Sequence, residues 1–264
     1  MRVAQVHKAI ASEGLRFGFR ANRTELITRL PNFLAPGSSP AEFKDLDFVY
    51  SLTAKSRPRS YAAYLGSKLI IRTTSLELAL SCITSSLHHT LAEYSRQHLF
   101  LHAGVIGWRG KAVLFPGPSR TGKSALIRAL IRAGAVYFSD EFAPLDPDGQ
   151  VHPFPRPLSM RSSTGKIPFR PEDEGIEIAK GPAAVGAVVI ARYEGHSLWE
   201  PVSLLKGHTV LELLSNTVAL RSNTVNAIRL VSTVASSAPA IRSYRGEADI
   251  TAPAVLQTLD NLMN

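Results

Sequence analysis

The chain has 264 residues, of which 45% are hydrophobic and 19% are charged, a composition typical of a folded protein with one large or two small domains. The longest apolar stretch, Ala183 to Ala191, is far shorter than the roughly 20 residues that span a bilayer. A single cysteine, Cys82, excludes an internal disulfide and a thiolate metal cluster. We therefore expect a cytoplasmic protein that does not enter a membrane.

The formal net charge of +9 is compatible with three classes of anionic partner: nucleic acid, an anionic membrane surface and an acidic peptide. The basic residues are scattered, however, and only Lys55, Arg57 and Arg59 form a local cluster. This distribution favours a solvated basic surface over a dedicated nucleic-acid interface.

The N-terminal region, residues 1–75, is predicted to be rich in strands, because short apolar runs alternate with Pro, Gly and Ser. Thr74 and Glu77 then have the spacing of a capping box, which predicts the start of a helix. Apolar residues follow at spacings of three and four up to about His98, so this helix should pack against a sheet. We predict that residues 76–264 form a second domain, which begins with this helix.

Two β-like runs, residues 99–107 and 111–115, precede a glycine-rich segment, GPSRTGKS, at residues 117–124. This segment is called the glycine loop below. The pattern from Gly122 to Ala133 is helical, Gly134 is placed as its C-terminal cap, and a strand follows at residues 135–138. Strand, loop, helix and strand in this order form a βαβ unit and predict an α/β core.

The remaining chain alternates further elements with one irregular segment. Residues 151–182 are rich in Pro, Gly and charge, and we expect an extended, mobile connection there. Strands are predicted at residues 185–191 and 240–244, and helices at residues 210–220, 224–235 and 252–262.

The glycine loop matches the pattern Gly-x-x-x-x-Gly-Lys-Ser of phosphate-binding (Walker A) loops. Gly117 and Gly122 permit backbone angles at which successive N–H groups converge on phosphate oxygens, and the helix dipole adds positive potential. Lys123 is placed to neutralise the terminal phosphates, and the Ser124 hydroxyl is suited to bind Mg²⁺. The sequence thus predicts a site for a nucleoside triphosphate with Mg²⁺, lined by Gly117, Pro118, Ser119, Arg120, Thr121, Gly122, Lys123, Ser124 and Ala125.

Three polar residues near this loop leave alternatives open. Arg120 either reaches the terminal phosphate or points into solvent. Asp140 and Glu141 end the next strand, at the sheet edge where α/β proteins bind ligands. There a carboxylate can hold Mg²⁺ or accept the proton of an attacking hydroxyl. Alternatively, one of these two acidic residues caps a helix or lies on the surface.

Together, Leu101-His-Ala-Gly-Val105, the glycine loop, Leu130-Ile-Arg-Ala-Gly134 and Ser139-Asp-Glu141 resemble the catalytic domain of the HPr kinase/phosphorylases. They also resemble the wider group of HPr-kinase-like serine kinases, which includes kinases of lasso-peptide precursors. The resemblance implies a P-loop kinase core that uses ATP and Mg²⁺, with Asp140 as general base, His102 beside it, and Ser124, Asp140 and Glu141 as metal ligands. Alone, His102 would be typical of a half-buried strand histidine. The resembling family forms oligomers, on which the sequence itself is silent.

The sequence departs from that family downstream of the loop. Where the family has Glu-x-Arg-Gly, this chain has Ser159-Met-Arg-Ser162, which keeps Arg161 as a catalytic candidate but lacks the acidic metal ligand. A segment that bears on the reverse, phosphate-dependent reaction is also not evident. Neither phosphorolysis nor HPr as the substrate is therefore expected.

Three functions are compatible with these residues. The leading hypothesis is an ATP-dependent kinase that phosphorylates a serine of a peptide or small protein, such as a ribosomally made precursor peptide. A kinase of a small hydroxylated metabolite is the second, because the loop recognises the nucleotide and not the acceptor. A non-catalytic nucleotide sensor is the third, although it would have no use for Asp140 as a base.

Overall fold

The computed structural model describes residues 6–29, 35–57, 59–118, 121–156, 158–162, 165–169 and 171–263. Within these ranges, residues 6, 158–162, 165–169 and 172 are described by their backbone alone. The chain is a mixed α/β protein with six α-helices in the described part. It divides into two compact units, an N-terminal unit (Met1–Gln97) and a C-terminal unit (His98–Asn264).

The N-terminal unit contains a six-stranded sheet, in agreement with the strands predicted for this region. Its elements are β1 (Val6–Ser12), β2 (Leu15–Ala21), α1 (Thr24–Thr28), β3 (Ser39–Ala41), β4 (Phe48–Ser56), β5 (Arg59–Leu65), β6 (Lys68–Thr73) and α2 (Leu76–Tyr94). The strand order is β3-β1-β2-β4-β5-β6. Only β2 and β4 pair in parallel, and the other neighbours are antiparallel.

Helix α2 packs against this sheet, as its apolar periodicity predicts, but its start differs by one residue from the predicted capping box. Ser75 is the N-cap, and its Oγ accepts a hydrogen bond from the backbone N–H of Leu78 at 3.2 Å. Glu77 forms an ion pair with Arg29 instead of returning to the backbone. Because α2 lies within the N-terminal unit, the boundary between the compact units comes after Gln97, whereas the predicted domain boundary precedes the helix.

The C-terminal unit is built on an eight-stranded mixed sheet. Its strands are β7 (Leu99–Trp108), β8 (Lys111–Pro116), β9 (Val136–Ser139), β10 (Phe142–Leu145), β11 (Gln150–Val151), β14 (Ala183–Tyr193), β15 (Val202–Ser203) and β16 (Ala240–Arg245). The order is β11-β10-β7-β8-β14-β16-β15, and β9 also pairs with β7. Strands β8, β14 and β16 are parallel, which leaves their carboxyl ends at one edge of the sheet.

Helices cover both faces of this sheet, which are apolar because every other side chain of the central strands faces the same layer. The helices are α3 (Lys123–Arg132), α4 (Lys206–Ser215), α5 (Thr224–Ser237) and α6 (Ala248–Met263). On one face, α3 and α6 form a core with Ile106 and Val189. On the other, α4 and α5 form a core with Val105 and Val188. The α/β core predicted for this part of the chain therefore has three layers.

The predicted connection at residues 151–182 contains more regular structure than its Pro and Gly content indicates. Strands β12 (Leu158–Ser162) and β13 (Gly165–Phe169) form an antiparallel hairpin, and a short 3-10 helix follows at Pro171–Glu174. In the described part of the chain, no helix combines the length and the apolar character needed to cross a bilayer.

Candidate active site

The glycine loop joins the end of β8 to the start of α3, at the carboxyl edge of the parallel strands. Gly122 precedes the helix with a φ of 80°, a left-handed conformation that favours glycine. The Oγ1 of Thr121 donates to the carbonyl oxygen of Pro118 at 3.0 Å. Of the predicted nucleotide contacts, Ser119 and Arg120 lie outside the described residues.

Lys123, the first residue of α3, points back across the loop. Its Nζ lies 3.1 Å from Nδ1 of His102 on β7 and donates to the carbonyl oxygen of Gly117 at 2.6 Å. Burial lowers the pKa of Lys123 to about 8, against the opposing effect of the Asp140 carboxylate. The ammonium group is thus held by a ring nitrogen and a carbonyl oxygen. Phosphate oxygens at this position would stabilise its protonated form.

Lys123 can contact His102 because α3 lies close to β7. A Cβ on Gly104 of β7 would lie 2.6 Å from Cγ1 of Ile127 and 3.3 Å from Cγ of Lys123. Only glycine therefore allows α3 to lie this near to β7 without a shift. His102 is two residues before Gly104 on the same strand, so its side chain lies on the same face of the sheet.

Asp140 lies beside the start of α3. The Ser124 hydroxyl donates to Oδ2 of Asp140 at 3.1 Å. The pKa of Asp140 is raised by burial, although Arg156, Ser124 and Lys123 each act to lower it. A half-buried carboxylate of this kind is a better proton acceptor than an ordinary aspartate, and it is already adjacent to the hydroxyl predicted to bind metal.

Strand β7 carries the backbone that holds Asp140 in place. Its first half pairs with β10 and its second half pairs with β9, and Asp140 lies in the break between these two strands. The N–H of Ala103 donates to the carbonyl oxygen of Glu141 at 3.1 Å, which fixes the break against β7. In the same break, the Ser139 hydroxyl oxygen accepts a hydrogen bond from the N–H of Phe142 at 3.2 Å.

Glu141 and Arg156 form an ion pair next to Asp140, and sequence analysis missed the arginine. Burial lowers the pKa of the Arg156 guanidinium, while Asp140 acts to raise it. The backbone of this residue is held by the Tyr137 hydroxyl, which donates to its carbonyl oxygen at 2.9 Å. Since Arg156 belongs to the proline-rich segment after β11 and has no motif around it, only the three-dimensional arrangement identifies it.

The structure thus brings together four predicted site residues: His102, Lys123, Ser124 and Asp140. Glu141 follows Asp140 in the chain and forms an ion pair with Arg156. Ala125 belongs to the first turn of α3, where its N–H donates to the Gly122 carbonyl oxygen at 3.1 Å. Arg161 belongs to β12, and its side chain lies outside those described. Among the described side chains, no group of three His, Cys, Asp or Glu residues is arranged to hold a metal ion. A Mg²⁺ site here would therefore need Ser124 and the phosphates as additional ligands.

Comparison with known proteins adds little to this geometry. No protein-family model matches the chain, and no curated protein matches it. Among solved structures, the HPr(Ser) kinase/phosphatase from Coxiella burnetii is 14% identical and aligns over 61% of this chain and 94% of that chain, with a TM-score of 0.35. A TM-score of 0.35 does not establish a common fold, so a functional assignment rests on the site's own residues.

Proposed function

We propose that this chain binds ATP with Mg²⁺ at the glycine loop and transfers the terminal phosphoryl group to a serine hydroxyl of a peptide or small protein. The observation that carries the proposal is the hydrogen bond from Ser124 to Asp140. It couples Ser124, in the first turn of the phosphate-binding helix, to a carboxylate with a raised pKa, and a pure nucleotide sensor needs no such base.

The residues present fit both the triphosphate and the metal. Gly117 and Gly122 both have positive φ angles, which are typical of loops whose N–H groups converge on phosphate, and Lys123 supplies a positive charge beside them. When bound, Mg²⁺ would be held by Ser124 together with Asp140 or Glu141 and would offset negative charge on the phosphates. Hydroxyl and carboxylate oxygens are the hard ligands that this ion prefers.

The transfer itself requires one bond to form and one to break. The acceptor serine oxygen attacks the terminal phosphorus, the bond from this phosphorus to the bridging oxygen breaks, and Asp140 takes the hydroxyl proton. Lys123 offsets the charge that develops on the transferred group and the departing diphosphate. His102 keeps Lys123 oriented through its Nδ1, and the pair of Glu141 with Arg156 limits the negative charge around Asp140.

A peptide acceptor is favoured by the charge of the chain. The formal net charge of +9 attracts an acidic peptide more strongly than a neutral metabolite. The resemblance to HPr-kinase-like proteins points in the same direction, since that group includes kinases of ribosomally made precursor peptides.

The proposal is tested by incubating the purified chain with ATP labelled at the terminal phosphate, Mg²⁺ and a panel of serine-containing acidic peptides. Wild type should label a peptide, and replacement of the peptide's serine by alanine should abolish the label. Lys123→Ala should reduce labelling by about 10²- to 10³-fold, because the charge that stabilises the transition state is lost. Lys111→Ala, which removes an exposed lysine of β8, is the matched control. Normal ATP binding without transfer to any peptide or hydroxylated metabolite would overturn the kinase assignment.

A further inference from the structure

Arg245, the last residue of β16, is buried at the glycine loop although it belongs to no motif. Its side chain is 1% exposed, and it is among the largest fully buried side chains in the described part of the chain. Nη2 donates to the carbonyl oxygen of Gly122 at 2.8 Å, and Nη1 donates to the carbonyl oxygen of Gly246 at 2.8 Å. The guanidinium also lies over the ring of Tyr193, 5.2 Å from its centroid.

The charge of Arg245 is poorly compensated. Its Nε is buried without a hydrogen-bond partner, and no ion pair joins it to a carboxylate among the described side chains. Glu247 affects Arg245 through its charge, but its carboxylate accepts a hydrogen bond from the Tyr193 hydroxyl at 2.7 Å. A buried, always-charged group normally has a carboxylate in direct contact, and because no described side chain provides one here, the site favours an additional anion.

The contact with Gly122 ties this charge to the phosphate-binding backbone. A Cβ on Gly122 would lie 2.6 Å from Nη2 of Arg245, so a side chain there would displace the guanidinium from its present position, in addition to the strain of the left-handed φ. The same Gly122 carbonyl accepts hydrogen bonds from the N–H groups of Ala125 and Leu126, in the first turn of α3. Arg245 therefore adds a third donor to the carbonyl that orients the end of the loop.

We propose that Arg245 is a positioning residue for bound phosphates: it fixes the Gly122 carbonyl, and thereby the loop N–H groups, while its buried charge increases the attraction for the anion. This inference rests on the proposed nucleotide-binding function. Two cations, Lys123 and Arg245, adjoin the positive end of α3, and an anion at this point relieves the repulsion among all three.

The test compares Arg245→Met, Arg245→Lys and wild type by calorimetric titration with ATP and, separately, with inorganic tripolyphosphate. Arg245→Met should weaken binding of both by about tenfold or more, and by the same factor, because the phosphates are common to both probes. Arg245→Lys, which keeps the charge but not the planar fork, should recover part of the affinity. In the transfer assay, Arg245→Met should raise KM for ATP with kcat changed by less than about threefold.

Arg242→Met is the matched control, because Arg242 is on the same strand and pairs with Glu212. It should leave both affinities within about twofold of wild type. Equal affinity of wild type and Arg245→Met for tripolyphosphate would overturn the inference, as would a loss confined to ATP, which would assign Arg245 to the nucleoside. If Arg245→Met does not fold, Arg245→Lys decides: weaker tripolyphosphate binding supports the inference and unchanged binding overturns it. If wild type binds neither probe, the proposed function itself fails.

Discussion

The two sides of the β8–α3 junction differ in how their charges are balanced. Toward β7, β9 and β10, carboxylates and cations are matched, since Glu141 pairs with Arg156 and Asp140 interacts electrostatically with Lys123 and Arg156. Toward β14 and β16, the described hydrogen bonds of the buried Arg245 go to carbonyl oxygens, its guanidinium lies over an aromatic ring, and Glu247 acts on it through charge without a direct ion pair. We refer to these as the acidic side and the basic side of the junction.

This difference fits a division of roles between proton transfer and phosphate binding. A general base needs neighbours that keep its carboxylate ionised but still able to accept a proton, and the acidic side provides them. A phosphate site needs fixed donors and positive charge that is not directly paired with a carboxylate, and the basic side has both. Substitutions on the two sides should therefore change different kinetic parameters.

The largest effect is expected for Asp140→Asn, which removes the base from the acidic side. We expect kcat for phosphoryl transfer to fall by about 10³-fold, within the range typical of a lost general base, while the affinity for ATP changes only a few-fold. Steady-state kinetics and calorimetric titration measure the two quantities. Asp146→Asn is a matched control, because Asp146 is also half-buried and hydrogen-bonded, to His152 at 2.9 Å, but lies away from the loop. A kcat close to that of wild type in Asp140→Asn would remove Asp140 from the mechanism.

Gly104→Ala should affect the acidic side and the basic side of the junction together, because both depend on the position of α3. The added methyl group meets Ile127 and must move α3 away from β7, which displaces Lys123 from His102. We expect kcat/KM to fall by about 10²-fold, a loss typical of a displacement near 1 Å, and the free energy of unfolding to drop by about 1–3 kcal/mol. Gly207→Ala, at an open position in the first turn of α4, should leave kcat/KM unchanged. Wild-type kinetics in Gly104→Ala would show that the close approach is dispensable.

The smallest effect is a pH dependence of kcat/KM for ATP. Lys123 must be protonated to attract phosphate, and its pKa is lowered to about 8, so kcat/KM should be retained below this pH and fall up to tenfold per unit above it. Asp140 must be ionised, and because its pKa is raised, activity should be lost on acidification at a higher pH than an ordinary aspartate would give. In Lys123→Arg the alkaline fall should disappear, since a guanidinium does not titrate in this range. An alkaline fall that begins near pH 10 would contradict the assigned role of burial at Lys123.

The parts of the fold that sequence analysis predicted well are those specified by local patterns. Strand β8 and helix α3 follow from glycine spacing and apolar periodicity within about 25 consecutive residues. Helix α5 begins at Thr224 as predicted, whereas α4 begins at Lys206 rather than Val210 and α6 begins at Ala248 rather than Ala252. Helix ends are less certain because first turns depend on capping and on tertiary contacts.

The candidate site was predictable only along the chain segment that carries the motif. Asp140 and Ser124 are 16 residues apart and belong to one βαβ unit, so their proximity follows from that unit. Arg245 contacts Gly122, which is 123 residues away in the chain, and no local sequence pattern predicts that β16 ends beside the loop. The same holds for Arg156, whose position depends on the Tyr137 hydroxyl and on the path of the chain after β11.

The pairing of β7 with both β9 and β10 gives Asp140 a support that is largely separate from the glycine loop. The backbone of Asp140 lies between two strands that hydrogen-bond to β7, so its position is set mainly by the sheet, and its side chain also accepts a hydrogen bond from Ser124. In the proposed reaction, a change in the backbone of the glycine loop would therefore leave the backbone of Asp140 in register with the sheet. The proposed phosphate site and the proposed base are thus supported by different parts of the fold.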